Sequence, residues 1–460
     1  MIRSGWGITA ALYLLLCLML GGASAAGAIA NGLLQILAVG LIVAALWTKP
    51  DDGRQPAARS LIWLALAFAA YVLLTLVPLP ASLWSGLPFR EHVASGYRLM
   101  GMELPSIPLS LARSNTVASL LSLLPPAAVF LMAVRLGHSE RRALALLVVV
   151  FACLSIILGA FQLVGGEGSP LRFYEITNRG RSVGFFSNAN HLVTLLLCAI
   201  PLVGFLAARG RRRSSSDRGG HTLLMLSFAL GVFLLVGILI ARSLAGYGLL
   251  LPAGLAAFLV YKRSAGSLRL PWLIGGGVVV AVFVVLAMAG PLNDQSLSEK
   301  EGSASSRAEF AENTLDAIAD SFPAGTGLGS FQTVYRLYED PERNDRSYTN
   351  HAHDDYLENV LELGIAGILF VLLFIAWWIR RSITAWFSDF EGAGLARASS
   401  AIILIVLLHS LADYPVRTSA IAAVVALACA FLVLPPVARR KPAETETAPS
   451  GGLRHLEADW

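Results

Sequence analysis

Runs of about 20 apolar residues, each bounded by charge, recur along the whole chain, and nothing else in the sequence restricts its fold as much. A helix needs about that length to cross roughly 30 Å of hydrocarbon while bonding all its own backbone groups. Twelve such runs can be traced, at 7–27, 29–47, 60–79, 114–134, 143–164, 189–208, 221–241, 244–260, 271–290, 363–379, 398–411 and 419–436. Composition agrees: of 460 residues 56% are hydrophobic and only 14% charged, and mean hydropathy is +0.66, whereas soluble domains carry about 25% charge. The expected fold is therefore all-α, a polytopic membrane protein with about 12 transmembrane helices over residues 1–436.

Orientation follows from lysine and arginine, which resist translocation while acidic residues contribute little. With the N-terminus in the cytoplasm, most of the 35 basic residues fall inside, as Lys49, Arg54 and Arg59, Arg135, Arg141 and Arg142, the run RGRRRSSSDRGG, Lys262, Arg263 and Arg269, Arg380, Arg381 and Arg397, and the tail. The 30 acidic residues divide the other way. Net charge of +5 thus reports topology and contact with anionic lipid, not nucleic acid. Both termini are expected in the cytoplasm, with a disordered tail at 437–460. The stretch GGASAAGA after the first run resembles a signal-peptidase site, but the weakly basic start favours a retained anchor. Cys17, Cys153, Cys198 and Cys429 all fall in apolar runs and act as small apolar residues.

The outer side carries the long segments, at 80–113, 165–188 and 291–362. In the last, Ser306 and Glu309 have capping-box spacing, and Phe310, Thr314, Ile318 and Phe322 follow at helical intervals, which predicts a short amphipathic helix ending at Pro323. The following AGTGLGS is either a flexible turn or a place where backbone amides approach an anion. It lacks the strand-loop-helix context of a nucleotide site.

Two sets of residues can carry chemistry. Arg179 and Arg181 precede the sixth run, and Arg242 ends the seventh with no opposite charge nearby in sequence. A guanidinium at this depth needs a partner: a diphosphate, whose oxygens suit its planar fork, or a carboxylate such as Asp413. The second set is HAHDDYLENVLELGIAG at 351–367. His351, His353 and Asp355 fit the first three positions of a zinc-hydrolase pattern H-x-H-x-D-H, but Tyr356 stands where the last histidine belongs. A histidine there can instead serve as general base. Alternatively, Asp354, Asp355 and Glu358 simply favour the start of a helix through its dipole. HSLADYPVRTS, with His409, Asp413 and Arg417, forms a short polar turn between the last two runs that can line the same cavity.

In order along the chain, RSVGFFSNANH (with Arg181 and Asn190), IARSLAGYGL (with Arg242), PAGTGLGSF, HAHDDYLENVLELGIAG and HSLADYP resemble the O-antigen ligase and polymerase superfamily over roughly 150–430. One departure is Asp354, where asparagine is usual. The resemblance implies a GT-C-like, metal-independent, inverting glycosyltransferase of the bacterial inner membrane. It implies a glycan moved from an undecaprenyl-diphosphate carrier to an acceptor hydroxyl on lipid A core or on another glycan, at the periplasmic face, without a cofactor. Under it Arg181 and Arg242 bind the diphosphate and His353 is the base. Arg179, Arg307, His351, Asp354, Asp355, Tyr356 and Asn190 support them. A flippase or transporter of a lipid-linked or polar solute is the competing class. It predicts polar residues near the midplane and related halves, whereas here the polar residues gather at one face and no internal repeat is visible.

Overall fold

The computed structural model describes residues 2, 4–24, 27–48, 56–214, 218–265, 296–339 and 349–433. The run at 271–290, the tail at 437–460 and parts of the basic segments near 50 and 215 lie outside the described residues.

The described residues are overwhelmingly helical. In chain order the helices are α1 (Gly5–Leu20), α2 (Ala28–Trp47), α3 (Pro56–Leu74), α4 (Ala81–Trp84), α5 (Arg90–Leu99), α6 (Arg113–Leu121), α7 (Leu124–Ala133), α8 (His138–Val164), α9 (Ala189–Ser214), α10 (Arg218–Ala241), α11 (Leu244–Ala265), α12 (Ser296–Ser321), α13 (Phe331–Tyr335), α14 (Asp355–Phe387), α15 (Ala393–His409) and α16 (Ser419–Leu432). Among the described residues seven segments are long and apolar enough to cross a membrane, α6 and α7 counting as one, and the apolar helices at Gly5–Leu20, Ala58–Leu74, Ala393–His409 and Ser419–Leu432 are shorter. This is a membrane protein. The figure of twelve spans is not reached on that criterion.

Helix α9 is the axis of the bundle. Of its most apolar window 78% is buried, against 17% for α2, and α8, α10, α11 and α15 all pack on it. Helix α16 fills the opposite side, against α1, α7 and α15. At one end of the bundle arginines close helix termini: Arg141 donates to the Ala133 and Val134 carbonyls, Arg381 to Leu432 O, and Arg397 to Ala385 O and Ser388 O. Cations suit these carbonyl ends. Arg263 and Arg397 also share Asp389. The polar turns of the candidate site gather at the other end.

There the long segments form a small core of their own. Phe89, Ala317, Phe331, Val334, Tyr335, Ala352 and Leu361 are buried together. Strands β1 (Pro78–Leu79) and β2 (Ile107–Pro108) pair antiparallel and fold the 80–113 segment back. Arg90, fully buried, donates to Leu109 O and to Gly325 O, and Thr116 donates to Leu328 O. Burial pulls the Arg90 guanidinium down to about 10, which leaves it charged at neutral pH.

Two segments differ from what the sequence predicts. The amphipathic helix is not short: α12 begins at Ser296 and has 26 residues, so Ser306 and Glu309 lie inside it and form no cap. The glycine-rich segment is not a flexible turn. The N–H groups of Gly325, Thr326 and Gly327 donate to Ser321 O, Leu361 O and Glu362 O. The amides of Gly329 and Phe331 donate to the Glu362 carboxyl group. The partner surface is a kink in α14 at Gly364, whose φ of 58° and ψ of −139° break the helix. A Cβ there would stand 2.0 Å from Pro323 O, so only glycine fits.

Candidate functional site

Three turns supply the site. The first is SNAN, ahead of α9, where Asn188 Oδ1 accepts from Asn190 N and the Asn188 carbonyl accepts from the amides of His191 and Leu192. The second is the two-residue joint Arg242–Ser243 between α10 and α11, in which Ser243 Oγ caps α11 by accepting from Gly246 N. The third is SLADYPVR after α15, where Asp413 N and Ala412 N bond the His409 carbonyl.

Asp413 ties them together. It is fully buried, accepts from Asn190 Nδ2 at 2.6 Å and from Tyr414 N at 2.9 Å, and faces His353 Nδ1 at 3.3 Å. The other end of Asn190, Oδ1, accepts from Ser243 Oγ at 2.8 Å. A continuous chain of polar contacts therefore runs from His353 through Asp413 and Asn190 to the neighbour of Arg242. Burial alone would raise the Asp413 carboxyl, but the contact with His353 and the positive potential of His191, His353 and His409 outweigh it and hold the group well below the usual carboxylate range.

His353 rests in an aromatic slot. Phe310 of α12 stacks on the ring at 5.8 Å and 19°, and Tyr414 meets it edge-on at 5.0 Å. The side chain keeps 23% exposure, which leaves a way in for a substrate group. Among the described residues three non-glycine residues have positive φ: Phe89, Arg242 at 53° and His353 at 55°. Left-handed backbone costs such residues about 1–3 kcal/mol each and concentrates at functional sites.

The arginines gather on the Ser243 side. Arg242 is exposed and Arg181 half-buried, and both guanidiniums lie within electrostatic reach of the Tyr247 hydroxyl. Among the described residues Arg242 makes no ion pair, and Asp413 is engaged elsewhere. Arg179 is exposed and within electrostatic reach of Arg172. Arg172 holds this loop by donating to Asn178 O and Arg181 O. Arg307 of α12 lies within electrostatic reach of His409.

The remaining candidates take other positions. Asp354 caps α14, its Oδ1 accepting from the amides of Tyr356 and Leu357. Tyr356 donates to Leu407 O. Asp355 pairs with Arg417 at 3.2 Å and accepts from Ser410 Oγ. His351 Nδ1 lies 2.8 Å from Glu358 Oε1, and its ring lies against Tyr414 at 4.1 Å. The trio His351, His353 and Asp355 thus reaches three different partners and does not converge. Among the described residues no group of three or more His, Cys, Asp or Glu side chains is placed to hold a metal.

Sequence reading underrated two residues. Tyr414 is the centre of the site: His191, His351 and His353 all touch its ring. Burial, with the Asp413 charge beside it, lifts its hydroxyl to about 12, so it stays neutral. Arg417 balances Asp355, Glu358 and Glu362. The only signal for either was their presence in HSLADYPVRTS. Asn350, which donates to Tyr414 Oη, had no signal at all.

Fold and site together define the class: a helical membrane protein with a histidine–carboxylate pair and a group of arginines at one end of its bundle. Residues 229–372 match the family model described as O-antigen ligase, which supports the chain's place in the O-antigen ligase and polymerase superfamily. The matched segment holds Arg242, Arg307, His351 and His353, and leaves out Arg181, Asn190, Asp413 and Arg417. No curated protein matches the chain.

Proposed function

We propose that this protein is a metal-independent, inverting glycosyltransferase of the inner membrane. It moves a glycan from an undecaprenyl-diphosphate carrier to an acceptor hydroxyl at the periplasmic face. The observation that carries the reading is the polar chain His353–Asp413–Asn190–Ser243, which links a partly exposed imidazole to the joint bearing Arg242. Asp413 facing Nδ1 keeps the proton there and leaves Nε2 as the acceptor, the arrangement a general base needs. The acceptor oxygen attacks the anomeric carbon as its proton passes to His353 Nε2. The bond from that carbon to the diphosphate oxygen breaks, and the electron pair leaves on the diphosphate. Arg181 and Arg242 neutralise the charge that develops, a form of stabilisation that often contributes most to such reactions. Lipid diphosphate is itself the activated leaving group, so no nucleotide takes part.

Twelve spans with a GT-C-like arrangement, and both termini in the cytoplasm, complete this reading. The acceptor is lipid A core in a ligase and a growing glycan in a polymerase. Deleting the gene and separating surface polysaccharide on a gel tests both. Loss of long chains marks a polymerase, chains stranded on the carrier mark a ligase, and an unchanged pattern refutes the transferase reading.

A further inference from the structure

Near the His353 slot lies a cavity of about 250 Å³, two of whose lining residues, His351 and Asn350, contact the same Tyr414 that His353 touches. We propose that it is a subsite for one uncharged sugar ring of the acceptor, an assignment that rests on the transferase reading above. Its polar lining includes Asn115, Ser119, Gln332, Asn350 and His351, with Phe331 as an apolar wall.

The hydrogen bonds already made determine what the lining has left to offer. Asn115 Nδ2 donates to Gly329 O, Gln332 Nε2 to Asn350 O, and Asn350 Nδ2 to Tyr414 Oη. Among the described residues the three amide oxygens have no partner. His351 Nδ1 is occupied by Glu358, which leaves Nε2, and Ser119 keeps its hydroxyl. Several fixed acceptors with one or two donors beside an apolar face suit a polyol ring. Size agrees, since sites for drug-sized ligands start near 300 Å³.

Charge selects among sugars. Glu358, Glu362 and Arg417 line the same cavity, and Asp355 shares Arg417 with them. Three carboxyl groups already share the one guanidinium, so the cavity offers no free positive charge to phosphate or to an acidic sugar. The diphosphate belongs with Arg181 and Arg242, neither of which lines this cavity. His353 touches Tyr414, which His351 and Asn350 of this lining also touch, and is joined through Asp413 and Asn190 to the Arg242 joint, so one base serves an acceptor seated here and a donor held there.

Saturation-transfer NMR on the full-length protein in nanodiscs tests this, with methyl glycosides of glucose, N-acetylglucosamine and glucuronic acid as probes. An uncharged glycoside should give a signal that falls at least fivefold in Gln332→Ala and in the milder Ser119→Val, while the glucuronide gives none. Absence of any uncharged signal, a glucuronide signal of equal size, or signals unchanged in both variants would overturn the proposal. To separate acceptor from donor sugar, binding of undecaprenyl-diphosphate-N-acetylglucosamine is compared with that of the sugar-free carrier. The variants should leave the ratio unchanged, and selective weakening of the sugar-bearing lipid overturns the acceptor assignment. His353→Ala and Arg242→Lys should keep the glycoside signal while losing transfer. A wild-type protein that transfers no glycan yet gives a persistent signal would sink the transferase reading and leave a sugar site. Transfer lost in the two variants, with no signal in the wild type, would sink the subsite alone.

Discussion

At the scale of single residues, the strained backbone of His353 and Arg242 and the carboxylate between them set the terms. Replacing Asp413 by asparagine keeps its shape but removes the charge that orders the His353 ring, and transfer in a reconstituted assay should fall about 10²- to 10⁴-fold while protein level in the membrane is unchanged. Its titration provides a second check. The folded-state carboxyl lies below its ordinary value, so its stabilising contribution is complete above the unfolded-chain value near 3.9 and is lost as pH falls below it. Melting temperature followed from pH 6 to pH 3 should therefore drop less steeply in Asp413→Asn than in the wild type. Arg242→Lys should abolish transfer although it retains the positive charge, because a point charge does not reproduce the two-pronged fork. Wild-type rates in that variant would mean that the residue does not grip a diphosphate.

Among the elements, α14 does two jobs at once: its first turn presents the site and its kink at Gly364 receives the glycine-rich segment. Asp354 serves the first by capping the helix. Its carboxyl is pushed above the ordinary value by burial, and the Glu358 charge adds to this against the two backbone amides it accepts from. A raised carboxyl pKa means that the charged form is disfavoured at neutral pH. Asp354→Asn, which keeps the accepting oxygen and loses the charge, should therefore melt no lower than the wild type at pH 7, whereas Asp354→Ala should lose about 1 kcal/mol. Arg417 serves the first turn from outside. Burial opposes its charge, but Glu358, Glu362 and Asp355 outweigh that and raise its pKa further. Arg417→Met would strand three carboxylates at a cost of about 3–5 kcal/mol, seen as a sharp loss of folded protein in detergent. Unchanged thermal stability would show that the cluster is hydrated rather than paired.

For the molecule as a whole, the helix bundle separates two kinds of arginine. One kind closes helix ends with carbonyl and Asp389 partners, and the other stands at the end that holds the His353 site. On the proposed topology the first end faces the cytoplasm. A cysteine-free background, obtained by replacing Cys17, Cys153, Cys198 and Cys429, permits a direct check. A single cysteine at Arg179 should react with a membrane-impermeant maleimide in spheroplasts, and one at Arg218 should react only after lysis. Reversed labelling would invert the orientation and remove the periplasmic site with it.

The amino-acid sequence by itself determined that the chain is helical and membrane-bound, since apolar runs of that length allow little else. Its motifs also singled out His353, Arg181 and Arg242, because an arginine amid apolar residues or a histidine among carboxylates is conspicuous locally. The sequence did not reveal that Asp413, some 60 residues further on, faces His353, or that Asn190 and Ser243 join that pair to the arginine joint. Nor did it show the service of Arg417 to three carboxylates of another helix. Those contacts span large separations along the chain and come from packing α9, α11, α14 and α15 with their polar turns at one end. Local sequence records what each turn contains, and only the tertiary structure decides which turns meet.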